Sequence, residues 1–524
     1  MKKNFKLFLA GIISVLLILL TVYFTSCSMN NEDSSKKEEP TASTNVVFPS
    51  KADPDGGDIT VDAELYSSIF GDATKYDETL AISSLCMTVA AEEEKTLQDF
   101  FVAFGFKTFE AYNGASGGYD DKDNPDSISY GLAHMIDPYD NNGIIAVAIR
   151  GVNYSSEWTS NFNIGKEGDH HGFSNAAKLV YTGLKSYIEK NFSTEYADKK
   201  LKLWITGYSR SAAVADILSY YIITGLDTDT TYAQLNIDKS KVFTYTFATP
   251  RSLIKTHARE YENVFNHISN ADLVTYVAPE AYGLFRCGTD KVLFESNKSQ
   301  YTEHKDAQSS TSDYTKYKLS YTSVVDEWLK TFSSEINLPD FCAHNYYVYT
   351  SGEKKEAHDF PGNKYTTEKE CIEFFMDLLL NATGDGASFK TRAEFVDTAQ
   401  STVQYFVNLY MNNSDKFSTF ISEIKNNVFT LMGKLSSETD FCNYITELLT
   451  KSGITVESES VLKEHLAVLY KSANPLSTTA TLSTIVMQYV VPMMIGGNTD
   501  FQRIIKMHYP EVTLITLLKS FPES

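Results

Sequence analysis

One stretch constrains this chain more than any other. In LKLWITGYSRSAAVADILSYYI, Leu201, Leu203 and Ile205 alternate with Lys202, Trp204 and Thr206, and a period of two reads as a strand with two distinct faces. Gly207-Tyr208-Ser209-Arg210-Ser211 follows, and the alanine-rich run from Ala212 to Ile223 reads as a helix. A strand that turns into a helix within so few residues strains the backbone at the apex, here Ser209, so the residues two before and two after must be small. Gly207 and Ser211 meet that need, serine being only slightly larger than glycine. Around this stretch, from Leu65 to Glu303, short β-rich runs alternate with helical patterns, which predicts an α/β fold with a largely parallel sheet. From Tyr321 to Ile495 the pattern turns mostly helical. Thr366–Asn381, Arg392–Met411, Lys416–Leu435 and Glu459–Lys471 carry apolar residues at three- and four-residue spacing.

The turn has a chemical reading and a bland one. A serine at such an apex points its hydroxyl into solvent, and the amide of Arg210, at the start of the helix, faces the place where an oxyanion would develop. An ordinary strand–helix connection with a surface serine has the same short pattern. What weighs between them is the company the turn keeps. GIIAVAIRGVNYSSEW (143–158), HHGFSNAAKLV (170–180), WITGYSRSAAVADIL (204–218), VFTYTFATPRS (242–252) and VFNHISNADLVTYVAP (264–279) occur in this order. Together they resemble the class 3 (fungal-type) lipases, a serine-hydrolase family on the α/β-hydrolase fold, across residues 130–300. Their counterparts in that family are a strand ending in Phe-Arg-Gly-Thr with an Asp-Trp pair, a His-x-Gly-Phe helix start, a Gly-His-Ser-Arg-Gly-Ala-Ala turn, a Thr-Phe-Gly-x-Pro-Arg strand and an Asn-x-x-Asp-x-Val-Pro segment.

The resemblance implies roles. Ser209 would be the nucleophile and Asp272 the acid that orients an imidazole, although a helix N-cap or turn aspartate is the usual role of an aspartate in such a place. The backbone amides of Val152 and Arg210 would form the oxyanion hole; many relatives carry Thr or Ser where Val152 stands. A Ser, Asp, His order needs a histidine after Asp272, and the candidates are His304, His344, His358, His465 and His508. His304 and His358 lie in polar stretches and His465 inside a helical pattern. His508, in KMHYPEVTLITLLKSF, starts a helix, with Pro510 and Glu511 at first-turn positions. It resembles the His-x-x-Glu-x-Tyr-Leu ending of some relatives, with Thr513 in place of the tyrosine. His508 is the preferred base and His344, in DFCAHNYYVYT, the alternative. With His508 as base, the helical region becomes an insertion over the core, a cap; with His344, a separate C-terminal module.

The N-terminus bears on location. Lys2, Lys3 and Lys6 precede an uncharged run from Leu7 to Phe24, and Phe24-Thr25-Ser26-Cys27 resembles the lipobox of bacterial lipoproteins, whose cysteine is acylated. An uncleaved membrane anchor is the alternative, since 18 residues of helix reach roughly 27 Å. Either reading puts the body outside the cytoplasm, tethered to the cell membrane. The expected organisation is 1–27 signal peptide or lipoprotein anchor, 28–60 flexible tether, and 61–305 α/β-hydrolase core. Residues 306–495 would be the helical cap or insertion, and 496–524 a C-terminal segment that returns the histidine.

Composition excludes more than it assigns. Against 67 Asp and Glu stand 46 Lys and Arg, a formal net charge of -21, and such a surface repels phosphate backbones, so nucleic acid is not an expected partner. Cys27, Cys86, Cys287, Cys342, Cys371 and Cys442 form no CxxC pair and no zinc spacing. Asp120, Asp121, Asp123 and Asp126 lack the glycine and distal glutamate of a calcium loop. Neither metal nor cofactor is therefore expected. The function expected is lipase-like hydrolysis of acylglycerol or other lipid esters through an acyl-enzyme. An esterase acting on carbohydrate-linked esters, and a non-catalytic cell-surface binding lipoprotein that retains the fold, are the alternatives.

Overall fold

The computed structural model describes residues 40–51, 58–66, 68–113, 116–117, 119, 127–151, 157–192, 200–224, 237–269, 272–278, 280–293, 391–398, 400–427, 430–431, 434, 437–472 and 508–520. The first element corrects the expected tether. Ala42–Phe48 (β1) pairs antiparallel with Ile59–Leu65 (β2). Val46 and Phe48 face inward while Val47 is exposed, so a Val-Val-Phe run too short to stand out by composition suffices for a half-buried strand. The expected core boundary at residue 61 falls inside β2.

Beyond this hairpin, Glu78–Ala90 (α1) is capped by Asp77, whose carboxylate accepts the amide of Leu80 at 2.8 Å, and Glu94–Ala103 (α2) follows. Then come strands Lys107–Asn113 (β3), Ser116–Gly117 (β4), Ser129–Ile136 (β5) and Gly143–Ile149 (β6). Helices Glu157–Asn161 (α3) and His171–Phe192 (α4) lead to strand Leu201–Tyr208 (β7) and helix Arg210–Thr224 (α5). Ile237–Phe247 (β8), the short pair Leu253–Ile254 (β9) and Leu284–Phe285 (β11), Val264–Ile268 (β10) and Thr289–Val292 (β12) complete the sheets.

The main sheet has eight strands in the order β12-β10-β8-β7-β6-β5-β3-β4. From β12 to β6 the neighbours are parallel, while β5, β3 and β4 are antiparallel additions. This is an α/β-hydrolase core, with a mixed sheet where the sequence pattern predicts a largely parallel one. Alternation decides the two faces. Ile144, Ala146, Ala148 and Trp204 pack with α1, α2 and the hairpin, whereas Ile145, Val147, Leu203 and Ile205 pack against α4 and α5. The central strands are therefore apolar at nearly every position, as strands covered on both faces must be. A charged exception is Lys202, buried at the start of β7, where its ammonium meets Asp137 at 2.5 Å, Asp140 at 2.7 Å and the carbonyl of Phe70 at 3.0 Å.

The later part of the described chain is helical. Arg392–Thr398 (α6) and Gln400–Asn412 (α7) occupy the stretch read as one helix, followed by Ser414–Asn426 (α8), Glu438–Lys451 (α9), absent from the sequence reading, and Glu459–Ser472 (α10). Phe417, Phe420, Phe441, Ile445, Leu448, Leu462 and Leu466 give α7 to α10 a core of their own. Pro510–Ser520 (α11) returns to the sheet, where Val512, Leu514, Ile515 and Leu517 join the core beside α1. Among the described residues no helix is long and apolar enough to cross a membrane. The anchor residues 1–27 lie outside them.

Two histidines are locked neutral inside this core. His267 donates Nδ1–H to the carbonyl of Thr246 at 3.0 Å, and its Nε2 accepts from the Tyr76 hydroxyl at 3.0 Å. His170, stacked on Phe173, donates to the carbonyl of Asn161 at 3.1 Å. Burial pushes both imidazoles down to about 3. Below the ordinary value of 6.5 the unfolded chain binds protons that the folded chain refuses, so stability falls as pH drops from 6.5 toward 3. Each histidine should contribute a loss of about 1 kcal/mol per pH unit in that window. Urea midpoints at pH 7 and pH 5.5 should therefore differ less for His267→Gln than for the unaltered chain; equal differences would contradict the neutral assignment.

Candidate active site

Ser209 stands between β7 and α5 with φ of 59°, a left-handed backbone that side-chain-bearing residues adopt only under constraint. The constraint is visible on both sides. A Cβ on Gly207 would lie 2.3 Å from the carbonyl oxygen of Ser211 and 2.8 Å from the amide of Ala212, so glycine is obligatory there. Ser211, where the family pattern has glycine, fits because its hydroxyl turns back into the elbow. Its Oγ accepts the amide of Tyr208 at 2.8 Å and donates to the Tyr208 carbonyl at 2.8 Å. The amide of Ser209 itself donates to the carbonyl of Phe247 at 2.9 Å, which ties the turn to the end of β8.

Asp272 lies after β10, at the cap of the short turn Leu273–Tyr276. Oδ1 accepts the amide of Val274 at 2.9 Å, and Oδ2 accepts from His508 Nδ1 at 2.7 Å. One carboxylate oxygen thus caps the turn and the other meets the imidazole of His508. The cap bond fixes the carboxylate, and the remaining oxygen faces the imidazole. Arg286 steadies the same loop by donating to the carbonyl of Thr275 at 2.7 Å while paired with Asp290.

His508 precedes α11, and its Nε2 lies 2.8 Å from Ser209 Oγ. With Nδ1–H donating to Asp272, Nε2 is the acceptor of the serine proton. Ser209, His508 and Asp272 therefore form one hydrogen-bonded chain. Asp272 is almost fully buried, while His508 keeps 23% of its side-chain surface open to solvent. Arg210 opens α5, so its amide lies at the N-terminal end of the helix. Its guanidinium runs inward toward Glu157 at 3.8 Å and Ser160 at 3.3 Å. Val152, the other expected amide, and the alternative base His344 lie outside the described residues, as does Cys27.

Residues 146–282 match the family Lipase (class 3). The matched span holds Ser209 and Asp272 and stops short of His508. Among solved structures the chain is similar to a fungal lipase–inhibitor complex described as a model for interfacial activation, with 18% identity over 41% of this chain and 80% of that one, at a TM-score of 0.30. It is also similar to a mutant form of MDLA from Penicillium cyclopium, with 16% identity over 41% and 77% and a TM-score of 0.26. No curated protein matches the chain. The lipase match supports ester hydrolysis of the lipase kind.

Sequence reasoning missed what holds His508. Tyr208 Oη donates to the carbonyl of His508 at 3.0 Å and is hydrogen-bonded to Thr513 Oγ1 at 2.7 Å. It also missed Arg392, which closes its guanidinium on the carbonyls of Ile164, Gly165, Gly168 and Asp169. No local pattern announces either contact; both join residues more than 200 positions apart. Among the described residues no group of three or more His, Cys, Asp or Glu is placed to hold a metal.

The end of β8 carries a second left-handed residue, Ala248 at φ 51°, where the family pattern has glycine. Ala248→Gly should raise stability by up to about 1 kcal/mol, because the left-handed penalty exceeds the entropy glycine adds to the unfolded chain. Gly207→Ala should have the opposite and larger effect, with loss of the folded elbow. Thermal melts of the two variants check both, and a neutral Gly207→Ala would refute the close approach.

Proposed function

We propose that this chain is a serine carboxylic ester hydrolase whose triad is Ser209, His508 and Asp272. The observation that carries the reading is the unbroken hydrogen-bonded chain from Ser209 Oγ through His508 to Asp272 Oδ2. As Ser209 Oγ attacks an ester carbonyl, its proton passes to Nε2 of His508, and the buried Asp272 carboxylate stabilises the resulting imidazolium. The amide of Arg210, at the positive end of α5, would donate to the oxyanion, with the amide of Val152 as the second donor implied by the resemblance. His508 then returns the proton to the departing alcohol oxygen, leaving an acyl group on Ser209. Water repeats the sequence, giving its proton to Nε2 and releasing the carboxylic acid. The first of these proton transfers uses groups that already share a hydrogen bond.

The family match favours lipid esters as substrates, and the net charge of -21 favours neutral or zwitterionic esters over anionic ones. Helices α6 to α10 fall between Asp272 and His508 in the chain, which fits an insertion acting as a cap. Its attachment to the core loop before α4 uses the Arg392 clasp, with Gln400 accepting the amide of Ile164 at 3.1 Å and Ile164 packed with Tyr282 and Phe395. The basic, apolar N-terminus ending at Cys27 supports a body held outside the cytoplasm on the cell membrane, as a lipoprotein or through an uncleaved anchor.

A fluorophosphonate probe should label the full-length chain at Ser209, and Ser209→Ala should abolish the label and lower p-nitrophenyl ester hydrolysis by about 10³-fold or more. His508→Ala should fall comparably while His344→Ala retains activity. A folded chain that takes no label would refute the hydrolase and favour the surface-binding reading. Rates rising from acetate toward longer acyl chains would support lipid esters, and an acetate-only profile would refute them.

A further inference from the structure

The turn that presents the nucleophile also grips the base. We propose that Tyr208 is a positioning residue that sets the orientation of His508 by holding its backbone carbonyl, a role that rests on the ester-hydrolase reading for its catalytic meaning. Tyr208 ends β7, and its ring lies tilted against the His508 imidazole with centroids 5.6 Å apart. The hydroxyl has a single proton, and the carbonyl of His508 at 3.0 Å can only accept it. Thr513 Oγ1, at 2.7 Å, therefore donates to Tyr208 Oη. Burial pushes the Tyr208 phenol well above its ordinary value, so the donor stays protonated wherever an ester hydrolase works.

The bond falls where the terminal helix leaves a gap. The amides of Val512 and Thr513 both donate to the carbonyl of Tyr509 at 3.0 Å, one residue beyond His508, and Pro510 has no amide to offer. The base thus stands just outside its helix, and Tyr208 supplies a hold there. Because Tyr208 and Ser209 are adjacent, with Cα atoms about 3.8 Å apart across one planar peptide, the carbonyl and the Nε2 of the same histidine are tied to neighbouring residues of one rigid turn. Asp272 fixes the third point. An imidazole held this way has little freedom to swing from Ser209, and a displacement of 1 Å can cost about 10²-fold in rate.

The two departures from the family pattern then explain each other. That pattern has histidine before the serine and tyrosine where Thr513 stands. In this chain the phenol comes from the elbow and the small hydroxyl from the helix, and the two are hydrogen-bonded to each other.

Two readouts test this on the full-length chain. Tyr208→Phe keeps the ring and removes the hydroxyl. It should lower kcat per titrated serine about 10-fold, with KM for p-nitrophenyl butyrate within twofold. Thr513→Val should lower kcat less, and the double variant should be no worse than Tyr208→Phe alone. In proton NMR with ¹⁵N-histidine labelling, the downfield Nδ1–H signal that His508→Ala removes should broaden or vanish in Tyr208→Phe. An unchanged signal together with unchanged kcat per titrated serine overturns the proposal. If the unaltered chain turns over no ester and yet loses this signal in Tyr208→Phe, the positioning stands and the hydrolase reading falls.

Discussion

The site depends on how closely β7 approaches the first turn of α5. That approach leaves no space for a side chain on Gly207 and puts Ser209 in a left-handed backbone with its hydroxyl outward. Ser211 shows what the constraint is made of. A glycine would merely fit, whereas the serine hydroxyl bonds both polar groups of the Tyr208 backbone and so occupies the tight corner without leaving any of them unmet. The strain at Ser209 is borne by the sheet, through its amide to Phe247, and β7 is held at its other end by the buried ammonium of Lys202. A strand fixed at both ends can carry a strained residue at its tip.

Asp272 and His508 are positioned by a different logic from the serine. Neither sits inside a regular element. The aspartate is a cap whose second oxygen is spare, and the histidine is the last residue but one before a helix that buries four of its own apolar residues beside α1. In both cases local structure uses part of a residue and leaves another part to meet its partner, Oδ2 of Asp272 facing Nδ1 of His508. Cap and helix entry positions suit such residues because the backbone there is already fixed by neighbouring turns while the side chain is not needed for packing.

How much of this is legible in the sequence follows from the range of each interaction. The elbow, the strand before it and the helix after it are local, and period, small residues and alanine content reveal them. The placement of Asp272 after β10 and of His508 before α11 was readable from the resemblance and from Pro510 and Glu511. The antiparallel side of the sheet was not, because strand direction depends on which distant strand each run pairs with, and β3 and β5 are short runs like the others. The hairpin strand at Val46 to Phe48 was hidden by the polar residues around it, whose exposure the pairing with β2 explains. The clasp of Arg392 on the carbonyls before α4 and the grip of Tyr208 on His508 were beyond reach, since an arginine or tyrosine gives no sign in its own neighbourhood of which distant backbone it will meet. Thr513 reads as a weakened match when taken alone and as half of a contact once Tyr208 is beside it.

The three residues of the hydrogen-bonded chain are separated by long stretches of sequence: Asp272 and His508 are 236 positions apart, and Ser209 and His508 are 299 apart. During synthesis the elbow and the acid loop leave the ribosome long before the histidine, with the whole helical region still to be made. The hydrogen-bonded chain is complete only when α11 docks against α1 and brings His508 beside Ser209 and Tyr208. In the hydrolase proposed above, that order would leave the half-made molecule without its base until α11 has been made.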